Sequence, residues 1–325
     1  MIGIVQQRED MMRKTIVLIW ILYSLGIITV MSDDREDRLR FVFIAPVKDE
    51  AFFDPVKKGM RDAADMLGVE CTFTGTEGVD VKAQAEMVRR AVVDGFDGIA
   101  LDIIDPVAFD GVVAEAIDRG VPVVAFNVDD DKTPNARLSA VCQNMYEAGR
   151  SLGTSALEFI PPGAKILMTL HSEGISALDE RMRGAQDVLK DHGITWKVVC
   201  TSNDPARAFE VIVRELRADP GIACVLGTGL ADTEAAGKAI DRYFRERNLP
   251  SAGFDLSPDI LELIKAGVIR FAIDQQPYVQ GFYPVVQLTL YCRYGIMPSD
   301  MDAGAAIISR EDVAGVIGLS TLGYR

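Results

Sequence analysis

From Leu39 onward the chain alternates short apolar runs with stretches long enough for a helix. Most of the runs are continuous, as in Val121–Asn127, and do not alternate between apolar and polar residues. Continuous runs are typical of parallel strands that are covered on both faces. The pattern predicts nine strands: Leu39–Ala45, Glu70–Thr74, Gly98–Asp102, Val121–Asn127, Lys165–Thr169, Trp196–Cys200, Ala223–Gly227, Ala252–Asp255 and Ile269–Asp274.

The segments between these strands have the features of helices. Val81–Asp94 places its apolar side chains at helical spacing. A capping residue followed by a proline, which suits the first helical position, predicts four helix starts. These pairs are Asp54-Pro55, Asp105-Pro106, Asp204-Pro205 and Ser257-Pro258. Repeated strand–helix units predict an α/β fold with doubly wound parallel sheets.

The strand–helix pattern runs twice. The first set of strands ends near Val141, the second begins at Lys165, and the helix-like Met145–Phe159 joins them. A chain of 325 residues, 49% of them hydrophobic, is long enough to bury two cores. We therefore expect two Rossmann-like lobes of ordinary domain size.

Composition excludes several classes of partner. The net charge of −14 argues against nucleic acid, because phosphate binding needs clustered Lys and Arg. Five widely spaced cysteines without a CxxC pair indicate neither a disulfide framework nor a zinc site, and we interpret them as buried small side chains. The two histidines, His171 and His192, lie far from any Cys pair. We expect no metal and no cofactor.

The N-terminal segment has the pattern of a secretory signal. Arg13-Lys14 precede the apolar run Ile16–Val30, which is short for a membrane span of about 20 residues. Cleavage ahead of Asp33 makes residues 1–32 a signal peptide, and an uncleaved anchor is the alternative interpretation. Either way, we expect the chain from about residue 39 to lie in a non-cytoplasmic compartment.

Polar residues follow several of the predicted strands. They are Lys48-Asp49-Glu50, Asp102, Asn127, Asp255 and Asp274-Gln275-Gln276. In doubly wound sheets, ligands bind beyond the carboxyl ends of the strands. These side chains are mostly hydrogen-bond acceptors and amides, with little positive charge. A polyhydroxylated ligand therefore fits them, and a phosphate does not.

At these positions the chain resembles the periplasmic sugar-binding proteins of the ribose- and galactose-binding type, over Leu39 to Ile317. The segment from Asp274 to Gly281 is its most specific part. The other stretches that carry the resemblance are Ala51-Phe52-Phe53, Lys58-Gly59-Met60, Phe96-Asp97-Gly98-Ile99, Gly120–Val124, Glu180-Arg181 with Gly184, and Gly253-Phe254-Asp255.

The resemblance implies two lobes joined by three hinge crossings, near Gln143, Gln275-Gln276 and Ala303–Ala306. The lobes are then residues 33–142 plus 277–305 and residues 143–276 plus 306–325. It also implies a monomer that closes on a monosaccharide or sugar alcohol in the periplasm of a Gram-negative bacterium. The bound ligand would pass to the permease of an ABC-type importer.

Carried over residue by residue, Phe52 and Phe53 match an aromatic pair of which at least one ring stacks on the sugar. Asp255 matches a carboxylate that accepts two sugar hydroxyls, and its alternative role is to cap the helix at Ser257-Pro258. Gln275 matches an amide at the hinge, which both donates and accepts.

Departures from the family pattern bear on specificity. Asn127-Val128 stands where ribose binders carry an Asp-Arg pair, and Asp179 stands where they carry an Arg. Asp102 replaces a Ser or Asn. These changes shift the expected ligand from ribose to a polyol, another pentose or an amino-bearing sugar. We interpret Arg181 as holding the start of its helix through a salt bridge, and contact with the ligand is the alternative interpretation.

Thr228 and Asp232 follow the carboxyl end of another predicted second-lobe strand, Ala223–Gly227. The candidate ligand-binding residues are therefore Glu50, Phe52, Phe53, Asp102, Asn127, Asp179, Thr228, Asp232, Asp255 and Gln275.

Three other functions compete with this one. An enzyme is disfavoured because Gly227-Thr228-Gly229 lacks the third glycine of G-x-G-x-x-G and no nucleophile elbow or P-loop is present. The effector lobe of a lactose-repressor-type regulator needs a basic helix-turn-helix head, and the first 38 residues hold an apolar run instead. A binding protein that reports to a membrane sensor stays open beside import.

Overall fold

A computed structural model describes residues 38–105, 107–129 and 135–325, so the predicted signal peptide lies outside the described residues. The strands in the described part are β1 Arg40–Ala45, β2 Glu70–Gly75, β3 Gly98–Leu101, β4 Val123–Asn127, β5 Ser139–Cys142, β6 Lys165–Leu170, β7 Thr195–Cys200, β8 Ile222–Gly227, β9 Ser251–Phe254, β10 Ile269–Asp274, β11 Met301–Asp302 and β12 Ala306–Ser309.

The helices lie between these strands. In chain order they are α1 Asp54–Leu67, α2 Val81–Val93, α3 Asp110–Asp118, α4 Met145–Ala156, α5 Ser176–Leu189, α6 Pro205–Ala218, α7 Leu230–Tyr243, α8 Pro258–Lys265, α9 Pro277–Tyr294 and α10 Val313–Thr321. None of the helices in the described ranges combines the length and the apolar character that crossing a bilayer requires.

The strands form two six-stranded sheets, in the orders β11-β5-β4-β3-β1-β2 and β12-β10-β9-β8-β6-β7. The first sheet is parallel throughout, and in the second only β12 runs antiparallel to its neighbour. Two doubly wound α/β lobes were predicted, and this architecture confirms them. All nine predicted strands are present. β5, β11 and β12, which are two to four residues long, were not predicted.

Two of the four predicted helix caps are confirmed. Asp204 accepts the backbone N–H of Arg207, and Ser257 accepts that of Ile260. Asp54 was predicted wrongly, because it is the first residue of α1 and its side chain makes no capping bond. Asp105 accepts two backbone N–H groups in its own turn, but α3 begins only at Asp110. The chain forms a turn at Asp105 before the helix begins.

The chain passes between the sheets three times, after β5, after β10 and after β11. We name these passages the first, second and third crossings. Because α9 follows the second crossing, its Val285 and Leu288 pack into the core of the first sheet. In the same way α10 follows β12 and packs on α8 in the second lobe, through Val313 and Val316.

Close helix pairs explain several glycines of the family pattern. A Cβ at Gly281 of α9 would lie 1.9 Å from the Val56 carbonyl oxygen in α1, and one at Gly59 would lie 2.1 Å from the Tyr278 oxygen. The second lobe repeats the arrangement, since Gly149 of α4 and Gly184 of α5 face each other's backbones equally closely. Each lobe therefore contains one helix pair that only glycine allows to approach so closely.

The five cysteines are all free thiols. Cys142 and Cys224 are buried, as predicted, and Cys71 and Cys292 are partly buried. The interpretation is wrong for Cys200, which is exposed because it ends β7 at the outer edge of its sheet.

Candidate functional site

A cavity lies between the lobes at the carboxyl ends of the strands, where the topology rule places ligands. It takes side chains from the loop after β1, from the ends of β4 and β9, and from α5. Six of the predicted residues line it: Glu50, Phe52, Phe53, Asn127, Asp255 and Gln275. We call this space the cleft cavity.

Asp255 is the carboxylate of the second lobe in this cavity. It follows β9 in a left-handed conformation with φ of 69°, and it is 6% exposed. Gln275 Nε2 donates to its Oδ1 at 2.5 Å, and Arg181 Nη1 lies 3.9 Å from its Oδ2. Burial raises the pKa of Asp255, while the Arg181 charge and the Gln275 hydrogen bond oppose that rise. Ser257, and not Asp255, caps α8.

Arg181 was interpreted as holding the start of its helix through a salt bridge, but its partners in the structure lie on other elements. Its guanidinium is buried on the cleft cavity, with Cζ 4.1 Å from the ring centre of Phe254. It donates to the Gln143 side chain and to the Thr228 carbonyl, and its nearest carboxylate is Asp255. At its helical position the side chain points inward, whereas the preceding Asp179 is exposed.

Asn127 and Asp102 form a pair in the first lobe. Asn127 ends β4 with φ of 62° and lines the cavity, and its Nδ2 donates to Asp102 Oδ2 at 2.8 Å. Asp102 itself is fully buried behind Asn127, and among the described residues its Oδ1 has no hydrogen-bond partner. Burial raises the pKa of Asp102 well above its usual range, against the hydrogen bond from Asn127. Asp102 therefore supports Asn127 and does not line the cavity as predicted.

Glu50 connects the two lobes at the cavity. Its Oε1 accepts a hydrogen bond from Asn203 Nδ2, which follows β7 in the second lobe, at 3.0 Å. Burial raises the pKa of Glu50, the Asn203 hydrogen bond opposes that rise, and the charge of Asp255 adds to it. The Ser176 amide also donates to the Ile104 carbonyl across the lobes at 3.3 Å. The two lobes are thus in contact beside the cavity.

The two adjacent phenylalanines have different environments. Phe53 is 2% exposed, and its ring packs 5.5 Å from Phe73 and 6.4 Å from Phe126 in the core of the first lobe. Phe52 is only partly buried and meets Phe53 edge to face at 5.0 Å. Both touch the cleft cavity, but Phe53 belongs to the buried core, whereas Phe52 is partly exposed at its edge.

Besides Asp102, three other predicted residues do not reach the cavity. Asp232 is fully buried in the first turn of α7, where its oxygens accept the N–H groups of Thr228 and Gly229 and the Thr169 hydroxyl. Thr228 is also fully buried and donates its hydroxyl to the Thr169 carbonyl. Both hold the end of β8 in place. Asp179 is exposed on α5, because the helix turns its side chain away from the cleft.

His171 is a cavity residue that the sequence analysis did not select. It directly follows β6, so the rule that picked out the other strand ends would have found it. Burial, with the charge of Arg181, lowers the pKa of His171 to about 4, and the ring is neutral at pH 7. Within the described ranges, no cluster of His, Cys, Asp and Glu is arranged to hold a metal ion.

Comparisons with known proteins agree with this geometry. The family model described as periplasmic binding protein domain matches residues 41–295. The xylose/arabinose-binding protein XylF of Sulfolobus acidocaldarius is 27% identical over 289 residues, which cover 84% of this chain and 72% of that protein.

Two solved structures have a similar fold. One is a carbohydrate transporter from Acidothermus cellulolyticus 11B in complex with myo-inositol, with a TM-score of 0.79, 28% identity, and coverage of 89% of this chain and 100% of that one. The other is an ABC transporter solute-binding protein from Burkholderia graminis C4D1M in complex with D-arabinose. It has a TM-score of 0.79 and 25% identity, covering 87% of this chain and 98% of that one.

Proposed function

This chain belongs to the periplasmic binding protein domain family, and we propose that it captures a monosaccharide or sugar alcohol in the cleft cavity and delivers it to an ABC-type importer. The observation that carries the proposal is that Asp255 and Phe52, from different lobes, share one cavity. A buried carboxylate accepts hydroxyl hydrogen bonds, and an aromatic ring packs against C–H faces. Together these are the contacts that a polyhydroxylated ring needs.

The charges around the cavity favour a ligand without an anionic group. Its titratable lining residues are Glu50, His171, Arg181 and Asp255. His171 is neutral at pH 7, and the Arg181 charge is paired with Asp255, so this lining offers a phosphate no unpaired cation. The relatives are named for or bound to xylose, arabinose and myo-inositol, which are neutral polyhydroxylated molecules.

We infer a lobe division of residues 33–142 plus 277–305 and residues 143–276 plus 306–325. Membership of the family places the protein outside the cytoplasm. In our proposal the segment 1–32 directs export to a periplasm, the protein acts as a monomer, and the permease receives the closed form.

A thermal-shift screen tests the ligand class. D-Arabinose, D-xylose and myo-inositol are compared with sugar phosphates and amino acids on the same protein. At a hundredfold excess over Kd, a true ligand stabilises the folded state by about 2.7 kcal/mol. If only sugar phosphates or amino acids raise the melting temperature, the proposal is wrong.

The absence of chemistry is tested separately. The XylF relative and the D-arabinose-bound structure are both binding proteins. We propose that this chain likewise releases its ligand unaltered. Mass spectrometry of sugar recovered from the denatured complex should show the original mass. Turnover by the purified protein would identify an enzyme instead.

A further inference from the structure

The three crossings are joined to one another by hydrogen bonds. Gln143 in the first crossing donates from Nε2 to the Gly304 carbonyl in the third at 2.8 Å. Gln276 in the second donates from Nε2 to the Ala303 carbonyl at 2.6 Å. The Ala303 amide in turn donates to the Cys142 carbonyl, which ends β5, at 2.8 Å. A change in the backbone of one crossing therefore disturbs the partners of the other two.

Asp255 is connected to the hydrogen-bonded crossings through two residues, Arg181 and Gln275. Arg181 donates from Nε and Nη2 to Gln143 Oε1, at 3.2 and 2.9 Å, and its Nη1 lies 3.9 Å from Asp255. Gln275 of the second crossing donates to the other carboxylate oxygen at 2.5 Å. The cleft carboxylate thus has one link to the first crossing and one to the second.

These groups are shielded from water, so their mutual hydrogen bonds have no ready substitute. Gln143, Arg181, Asp255 and Gln275 are all 6% exposed or less. Gln280 Nε2 contacts both the carbonyl and the Oε1 of Gln275, which orients the Gln275 amide with its NH₂ toward Asp255. Moving one member leaves buried polar groups unpaired, which costs free energy and makes the position of each member depend on the others.

We propose that Arg181 and Gln143 are positioning residues that couple the engagement of Asp255 by ligand to the closure of the hinge. The inference rests on the proposed function, since it assigns how sugar binding in the cleft cavity reaches the crossings. Ligand hydroxyls hold the Asp255 carboxylate in place, the carboxylate holds Arg181, and Arg181 holds Gln143 against the third crossing. Closure is then favoured by the ligand's stronger contacts with this arrangement.

Gln143 is the residue on which to test the coupling, because it does not line the cleft cavity. Gln143→Leu keeps the approximate shape and removes both the acceptor for Arg181 and the donor to Gly304. A matched control is Gln287→Leu. Gln287 also donates to a backbone carbonyl, that of Ser299 at 2.9 Å, and accepts from a side chain, Ser139, but has no bond to the network.

The experiment combines hydrogen exchange with small-angle scattering, first without sugar and then with saturating D-arabinose. In sugar-free Gln143→Leu, amides of the second crossing, residues 274–276, should exchange about tenfold faster than in the parent, and the radius of gyration should increase. With D-arabinose, binding should weaken about tenfold with unchanged stoichiometry. Gln287→Leu should match the parent in each measurement, and Gln143→Glu, which retains an acceptor for Arg181, should be intermediate.

A purely local role for Gln143 would change exchange only at its own crossing and at Gly304. Unchanged exchange at residues 274–276 and an unchanged radius of gyration would therefore overturn the coupling. The sugar-free comparison decides this without reference to ligand identity. Failure of every sugar to bind the parent would count against the proposed function instead.

Discussion

Asn127 and Asp255 occupy corresponding positions in the two lobes, and both adopt the left-handed conformation, with φ of 62° and 69°. Asn127 ends β4, Asp255 directly follows β9, and these strands have the same place in their sheets. Non-glycine residues rarely adopt this conformation, and they cluster at functional sites when they do. Each lobe thus uses a sharp turn after an equivalent strand to bring one polar side chain to the cleft cavity.

Replacing the carboxylate of Asp255 should weaken sugar binding. Asp255→Asn removes the charge beside Arg181 and turns one acceptor into a donor. We expect a loss of about 1.5–3 kcal/mol, roughly ten- to two-hundredfold in Kd. Isothermal titration with the sugar that gives the largest thermal shift measures this, and Asp259→Asn on the exposed side of α8 is the control. If Asp255→Asn and the parent bind the sugar with equal affinity, the ligand site does not include Asp255.

Alanine substitutions at the two phenylalanines should affect different properties, stability for Phe53 and sugar binding for Phe52. Phe53→Ala removes a ring from the first-lobe core, and we expect unfolding free energy to fall by about 3–5 kcal/mol. Phe52→Ala removes a partly buried ring at the edge of that core, so the loss of stability should be smaller than for Phe53→Ala, and Kd should rise at least about threefold. Urea unfolding and titration, run on both variants, separate the effects. A reversed pattern would assign the ligand contact to Phe53.

The helix pair α1–α9 should not tolerate a side chain at Gly281. The added methyl of Gly281→Ala meets the Val56 carbonyl oxygen, so the helices have to separate. We expect a loss of about 1–3 kcal/mol or more in unfolding free energy. Gly315→Ala in α10 is the matched control, because its added methyl has no atom within 4 Å and the helix gains up to about 1 kcal/mol. Equal urea midpoints for the two variants would contradict the packing.

His171 should make folding sensitive to acid. Its pKa is about 4 in the folded protein and about 6.5 in the unfolded chain, so the unfolded state takes up a proton first as the pH falls. The stability that the neutral His171 ring contributes is complete above about pH 6.5 and is lost as the pH falls toward about 4. At pH 5 the loss is about 1–2 kcal/mol. Urea unfolding at pH 7.5 and 5 should show a smaller drop for His171→Gln than for the parent. An equal drop would mean that His171 titrates normally.

Local pattern was enough to predict the two doubly wound lobes. Continuous apolar runs such as Val121–Asn127, repeated between helix-length segments, predict parallel strands, and the polar residues after them lie at the carboxyl edge of the sheet by topology. Glu50, Asn127, Asp255 and Gln275 were therefore predictable from topology, whereas Phe52 was predicted from the family resemblance, and all five line the cleft cavity.

Only the tertiary structure decided which neighbouring side chains face the cleft. Asp179 and Arg181 are two positions apart on α5, yet Asp179 is exposed and Arg181 is buried. Asp232, in the first turn after β8, accepts backbone N–H groups at the end of that strand, whereas Asp255, directly after β9, lines the cavity. Such choices depend on helix rotation and on contacts between residues far apart in the chain. The sequence by itself determined the sheets and the edge that binds, because those follow from local periodicity; the network from Asp255 to the crossings exists only because packing brings residues 143, 181, 255, 275 and 304 together.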